Sequence, residues 1–143
     1  MPSIPVRLLL GFLAAAIAVV TVHQSIVFLL DASGLITRQA WSTAPHGPLQ
    51  VPTIVNSTFW GGLWGALLGL IYDRFPGRSA WLKGLLFGWM MYIVSNSTLL
   101  PLIKGQPLFF DFQWNQALAV FLILSGFGMA TAILYDWLRQ RFA

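Results

Sequence analysis

Apolar residues run along this chain in four long blocks, separated by shorter stretches rich in proline, glycine or charge. A helix needs about 20 mostly apolar residues to cross a bilayer. The blocks that satisfy this run from about Arg7 to Leu30, Thr53 to Tyr72, Trp81 to Ile103 and Asn115 to Leu138. They predict an all-α, polytopic membrane protein, with four transmembrane helices in a single domain over residues 1–143. The first block begins like a secretory signal, with Arg7 as a basic flank and Ala14-Ala15-Ala16 resembling a cleavage site. Its apolar run continues to Leu30, too long for a signal segment, so it reads as a retained helix.

The polar positions inside these blocks are not scattered. In "VTVHQSIVFLL" (Val20 to Leu30) His23, Gln24 and Ser25 interrupt the first block. Asn56, Ser57 and Thr58 open the second, Ser95 to Thr98 lie late in the third, and Gln113, Asn115 and Gln116 open the fourth. In alternating helices all of these fall at one end of the bundle. Hydrogen-bonding groups in lipid must find partners inside the protein. Two readings follow: a layer of amides and hydroxyls joining helix to helix, or a polar pocket for a small ligand. The candidate ligand-binding set is His23, Gln24, Asn56, Ser57, Ser95, Asn96, Asn115 and Gln116, with His23 foremost as a group that titrates near neutrality in water.

Small residues form a second pattern. Positions four apart share a helix face. That face reads Gly11, Ala15, Val19, His23 in the first block and Gly84, Gly88, Tyr92, Asn96 in the third. The second block adds Gly61, Gly65 and Gly69, and the fourth contributes Gly128. Small residues let helix backbones approach closely. These glycines and Ala15 are therefore candidate packing positions, within the bundle or along a homodimer seam.

The two patterns recur together. Without gaps, "GFLAAAIAVVTVHQSIVFLL" from Gly11 aligns with "GLLFGWMMYIVSNSTLLPLI" from Gly84. Gly11 then meets Gly84, and His23-Gln24-Ser25 meets Asn96-Ser97-Thr98. Likewise "WGALLGLIYDRF" from Trp64 aligns with "FGMATAILYDWL" from Phe127, matching Gly65 to Gly128 and Tyr72-Asp73 to Tyr135-Asp136. This points to a duplicated helical hairpin, about residues 7–75 and 81–138, in a two-plus-two parallel repeat.

Composition sharpens the class. The chain is 57% hydrophobic and 8% charged, with mean hydropathy +0.75. A soluble domain carries about 25% charged residues. The net charge of +4 does not imply nucleic acid, because the basic residues flank apolar blocks. Arg7, Arg74, Arg78, Lys83, Arg139 and Arg141 fall on one side of the membrane, and Arg38 and Lys104 on the other. Basic residues favour the cytoplasmic side, so both termini are expected there.

The connections carry weaker signals. "SGLITRQAW" suits a short helix in the membrane interface, with Ser33 as cap and Trp41 as anchor. "PLFFDFQW" is aromatic enough to lie on the membrane surface. Asp31 is placed to pair with Arg38, and Lys104 with Asp111. Asp73 and Asp136 are expected to pair with Arg74, Arg78 or Arg139, leaving Tyr72 and Tyr135 as interface anchors. Pro101 should kink or end the third helix.

The chemistry of an enzyme is missing. Glutamate and cysteine are absent, and the carboxylates are Asp31, Asp73, Asp111 and Asp136, all at block edges or in connections. There is no phosphate loop, dinucleotide fingerprint, HExxH or nucleophile elbow. His23 and His46 are too few and too unrelated in spacing for a metal site, and give thin support for a bis-histidine haem. No cofactor is expected.

The "HQ" of the first block, "FWGGLWGALLG" of the second and "PLIKGQP" after the third resemble small four-helix inner-membrane proteins of bacteria. The resemblance covers nearly the whole chain. It implies the four-span fold and that membrane, and no activity or functional residue. Two functions remain: a non-enzymatic module whose outward polar cavity binds or passes a small solute, ion or lipid, or a structural or assembly subunit of a larger membrane complex. In the second, the glycine faces and Trp60, Trp64 and Trp89 would meet partner helices. The partners expected are the lipid bilayer and either further copies of the chain or another membrane subunit.

Overall fold

The computed structural model describes residues 2–107 and 113–142. Four long helices dominate it: α1 (Ile4–Ala32), α2 (Thr53–Arg74), α3 (Ala80–Lys104) and α4 (Trp114–Phe142). All four are long and apolar enough to cross a membrane. Each matches an apolar block to within a few residues. The aromatic run between α3 and α4, and with it the pairing of Lys104 with Asp111, lies largely outside the described residues.

Helices α1 and α2 pack along their length, α3 and α4 do the same, and α1 also packs on α4. Glycine sets the approach within each hairpin. A Cβ built on Gly11 would lie 2.1 Å from the carbonyl oxygen of Gly65, and one on Gly65 would lie 2.2 Å from that of Gly11. Gly84 and Gly128 face each other in the same way, at 2.3 Å in both directions. No side chain fits in either crossing, so the helices touch backbone to backbone. Gly61 lies against Val19, Gly69 against the Arg7 carbonyl, and Gly88 against that of Leu124. The rows of residues four apart are thus the rows on which the helices cross.

α2 ends in a 3-10 turn, Tyr72–Arg74, and two helices are widened within their length. Val19–His23 in α1 and Ser95–Leu99 in α3 are single π-turns. A π-turn accommodates one extra residue and frees carbonyls from the regular ladder. Local side chains take these up. Thr21 Oγ1 donates to Ile17 O at 2.7 Å, Asn96 Nδ2 to Tyr92 O at 2.8 Å and Ser97 Oγ to Ile93 O at 2.5 Å. Pro101 follows the second π-turn within the first turn of the resumed α-helix, so it does not end α3, which continues to Lys104.

The expected interfacial helix is absent. Residues 33–44 form an irregular strap lying back on α1. Ser33 does not open a helix; it is the C-cap of α1, and its hydroxyl donates to Leu30 O. Asp31 accepts the backbone N–H of Arg38 rather than its guanidinium. Trp41, 44% exposed, is tied to α1. Its backbone N–H donates to Gln24 Oε1 at 2.8 Å, and its indole Nε1–H to Val20 O, also at 2.8 Å, a carbonyl within the π-turn. Those bonds hold Trp41 at φ 52°, a left-handed conformation costly for a side-chain-bearing residue. The strap then closes through a minimal antiparallel ladder, β1 (Pro45–His46) with β2 (Val51–Pro52). The carbonyls of Ser42 and Ala44 accept from the first amides of α2.

The core is densest where the chain ends, around Tyr72 and Tyr135, which are 2% and 1% exposed. They are not interface anchors: their rings meet at 5.1 Å. Arg139 lies over Tyr72 at 4.6 Å and bonds to Asp73 at 2.9 Å and Asp136 at 3.1 Å. Lys83 lies over the Tyr72 ring at 4.5 Å. Arg7 donates to the Gly69 and Leu70 carbonyls near the end of α2, where a cation also complements the helix dipole. This is the tyrosine end of the bundle.

Candidate functional site

At the opposite end the bundle opens. α2 and α3 both line a cavity of about 270 Å³; their backbones stay apart, and they meet through side chains toward the tyrosine end, Trp64 on Phe87 and Lys83 over Tyr72. α1 and α4 form its floor through Val19, His23, Val120, Leu124 and Phe127. α2 contributes Asn56, Ser57, Trp60, Gly61 and Trp64. α3 contributes a strip from Met91 through Ser95, Asn96 and Leu99 to Lys104, and the strap adds Arg38.

Both π-turns lie on this cavity. His23 is the last residue of the first, while Ser95, Asn96 and Leu99 belong to the second. Single π-turns are frequent at functional sites because they re-aim side chains and loosen backbone bonding. Five of the eight sequence candidates therefore come together: His23, Asn56, Ser57, Ser95 and Asn96. The other three do not line the space. Gln24 is buried and bonds to the strap, Asn115 reaches Leu35 O at 3.4 Å, and Gln116 lies outside the lining.

The polar layer is not chiefly a helix-to-helix network. Ser25, Thr58, Asn96 and Ser97 donate to carbonyls of their own helices four residues back. Backbone satisfaction of this kind leaves Asn96 Oδ1 available as an acceptor.

Gln24 fixes the state of its neighbour. Its Oε1 accepts the Trp41 backbone N–H, so its Nε2 is the donor toward His23 Nδ1 at 3.1 Å. A neutral His23 then accepts at Nδ1 and carries its proton on Nε2, an assignment that follows from the bonding network. The ring stands edge-on to Phe127 at 5.8 Å. The strap, Gln24 and His23 thus form one connected chain of contacts ending at the cavity.

Sequence reasoning used Arg38 and Lys104 to orient the chain and as partners for Asp31 and Asp111, not as site residues. Here they are the charged groups of the cavity, and both side chains are exposed at its mouth. The surrounding protein lowers the Arg38 pKa from its ordinary value by desolvation, and an arginine remains charged after such a shift. No carboxylate among the described residues lines the cavity. Their signal in the sequence was that they are the two basic residues on the side opposite the other six.

The lower part of the cavity is apolar and aromatic, with Trp60 48% exposed and Trp64 edge-on to Phe87 at 6.2 Å. No group of three or more metal-ligating side chains occurs among the described residues. His46 lies in the strap hairpin, away from the cavity lining. No protein-family model, no curated protein and no solved structure matches this chain.

Proposed function

We propose that this chain is a non-enzymatic, multi-pass protein of a bacterial inner membrane whose outward-facing cavity binds or passes a small solute, ion or lipid. The observation that carries this reading is the convergence of both π-turns, with His23 and Asn96, on a cavity between two helices whose backbones stay apart at that end of the bundle. Helices that only needed to be glued would close that gap.

The reading includes the orientation, with both termini in the cytoplasm, and a duplicated hairpin. The basic flanks support the first. Three observations support the second. Gly11–Gly65 and Gly84–Gly128 are the crossing points of the two hairpins, and the ungapped alignment equates them. Tyr72 and Tyr135, also equated, meet ring to ring, as residues beside a twofold axis do. The first helix of each hairpin carries a π-turn.

The alternative is an assembly subunit using the glycine faces and Trp60, Trp64 and Trp89 against partner helices; the exposure of Trp60 and Trp89 suits it, but the glycine faces do not. Those glycine faces are filled by the chain's own helices. Trp89 stacks on Phe121 and donates to Ser125 Oγ within the chain.

The chain contains no cysteine, so single-cysteine labelling has no background. Ser57→Cys should react with a membrane-impermeant maleimide added to intact spheroplasts. Gly77→Cys, in the turn between α2 and α3, should react only after permeabilisation. The reverse pattern would overturn the orientation, and an inert Ser57→Cys in permeabilised membranes would overturn the open cavity.

A further inference from the structure

We infer that the occupant of this cavity is a membrane lipid with an anionic phosphate headgroup, which enters sideways from the outer leaflet between α2 and α3. The inference rests on the cavity reading above and names its ligand class.

Four observations carry it. The first is the polarity gradient. The charged groups, Arg38 and Lys104, stand at the mouth; Leu99 and Ile103 line α3 between Lys104 and Asn96, and the depth is apolar, with Trp64 and Phe127. A leaflet lipid has the same order, charge outermost and hydrocarbon beneath. The second is length. The lining runs from Asn56 to Trp64 on α2 and from Met91 to Lys104 on α3. At about 1.5 Å per residue these strips span roughly 12 and 20 Å. The hydrocarbon of one leaflet is about 15 Å deep, half of the usual core.

The third is access. Above the Trp64–Phe87 ring contact the backbones of the two flanking helices stay apart, so the cavity opens sideways where a membrane would lie. At about 270 Å³ it cannot enclose a whole two-chain lipid. It fits the headgroup and the start of one chain, while the remainder stays in the bilayer. The fourth is charge. Two cations stand at the mouth, with no carboxylate among the described lining residues to neutralise them. The Asp31 carboxylate is engaged by the Arg38 backbone N–H, and Asp31 is not part of the lining. The His23 tautomer set by Gln24 leaves an N–H donor on the ring, and phosphate oxygens are acceptors only. Guanidinium and ammonium at the mouth attract the anionic phosphate, and the imidazole N–H deeper in the cavity is a further donor to headgroup oxygens.

The test uses the full-length protein and native mass spectrometry with defined lipids. Protein stripped of lipid in detergent is titrated with phosphatidylglycerol and, separately, with phosphatidylcholine. The expected result is retention of one phosphatidylglycerol per chain, with much weaker retention of phosphatidylcholine. In Arg38→Gln/Lys104→Gln the phosphatidylglycerol affinity should fall roughly thirtyfold, the attraction of two basic groups for an anionic headgroup. The charge-preserving variant Arg38→Lys/Lys104→Arg should retain most of it, which separates charge from folding.

Equal retention of both lipids, or a loss below about threefold in the glutamine variant, would overturn the inference. So would displacement of the lipid by soluble glycerol phosphate, which would make the ligand a water-borne anion. In each of these cases the proposed cavity function still stands if Ser57→Cys labels from outside. An inert Ser57→Cys would instead remove the cavity reading itself.

Discussion

The two ends of the bundle use similar residues for opposite purposes. At the tyrosine end, Arg7, Lys83 and Arg139 are each taken up by a carbonyl, a carboxylate or an aromatic face. At the cavity end, Arg38 and Lys104 have basic side chains too, but they are exposed and stand over a hollow. The glycine crossings lie between Arg7 and Val19 on α1 and between Lys83 and Met91 on α3, toward the tyrosine end of each helix. Beyond them the π-turns intervene and α2 parts from α3. The difference teaches that polar residues in a membrane bundle have to be sorted by what surrounds them. At one end Arg7, Lys83 and Arg139 hold helices together; at the other, Arg38 and Lys104 form no ion pair among the described residues.

Substitutions should separate the ends by kind of effect as well as size. The largest loss is expected from Gly65→Leu, whose side chain would overlap the Gly11 backbone. Overpacking of this sort costs about 1–3 kcal/mol and sometimes more. A thermal unfolding scan in detergent should show a sharply lowered midpoint or no folded protein. An unchanged midpoint would mean that the crossing does not hold the hairpin.

Next is Arg139→Gln, which leaves Asp73 and Asp136 without their cation. The pairs are partly exposed, so the expected loss is about 1 kcal/mol. The same scan should register it, and raised salt should shrink the difference between wild type and variant. Trp41→Phe removes the indole bond to Val20 O while keeping the aromatic ring. It should cost about 1 kcal/mol or less, and hydrogen exchange should rise in the strap before it rises in α2.

The smallest effect on stability is expected from His23→Gln, below about 0.5 kcal/mol, since the residue borders open space. Ligand retention should be what changes. A large destabilisation by His23→Gln with no change in retention would erase the distinction between the two ends.

The positions of the helices were legible because lipid imposes length and apolarity on every residue in a span. Glycine rows were legible for a related reason: with i and i+4 on one face, a run of small residues marks where backbones approach. Gly11, Gly65, Gly84 and Gly128 all lie at such approaches. The π-turns were not legible, because nothing in "VVTVH" or "SNSTL" distinguishes a widened turn from a regular one. Their presence decides which polar residues face the cavity. Gln24 was grouped with His23 for that reason, although it turns away to hold Trp41. The strap was misread as a helix because its shape depends on bonds to Gln24 and Val20, distant in sequence from the residues they hold. Arg38 and Lys104 were visible from the start. Only their approach to one cavity in three dimensions gives them a part in the site.

Each π-turn stores one residue more than a regular turn would. One residue corresponds to about 100° of rotation around a helix. With the glycine crossings fixing the lower part of α1, deleting a single residue from Val19–His23 would restore a regular helix and swing Gln24 and all that follows to a new bearing. No side chain would change in kind, yet the strap would lose its footing. The cavity is therefore encoded in the count of residues as much as in their identity. In-frame loss of one codon within either widened turn should dismantle it while leaving the tyrosine end intact, a form of genetic fragility that substitution scanning would never reveal.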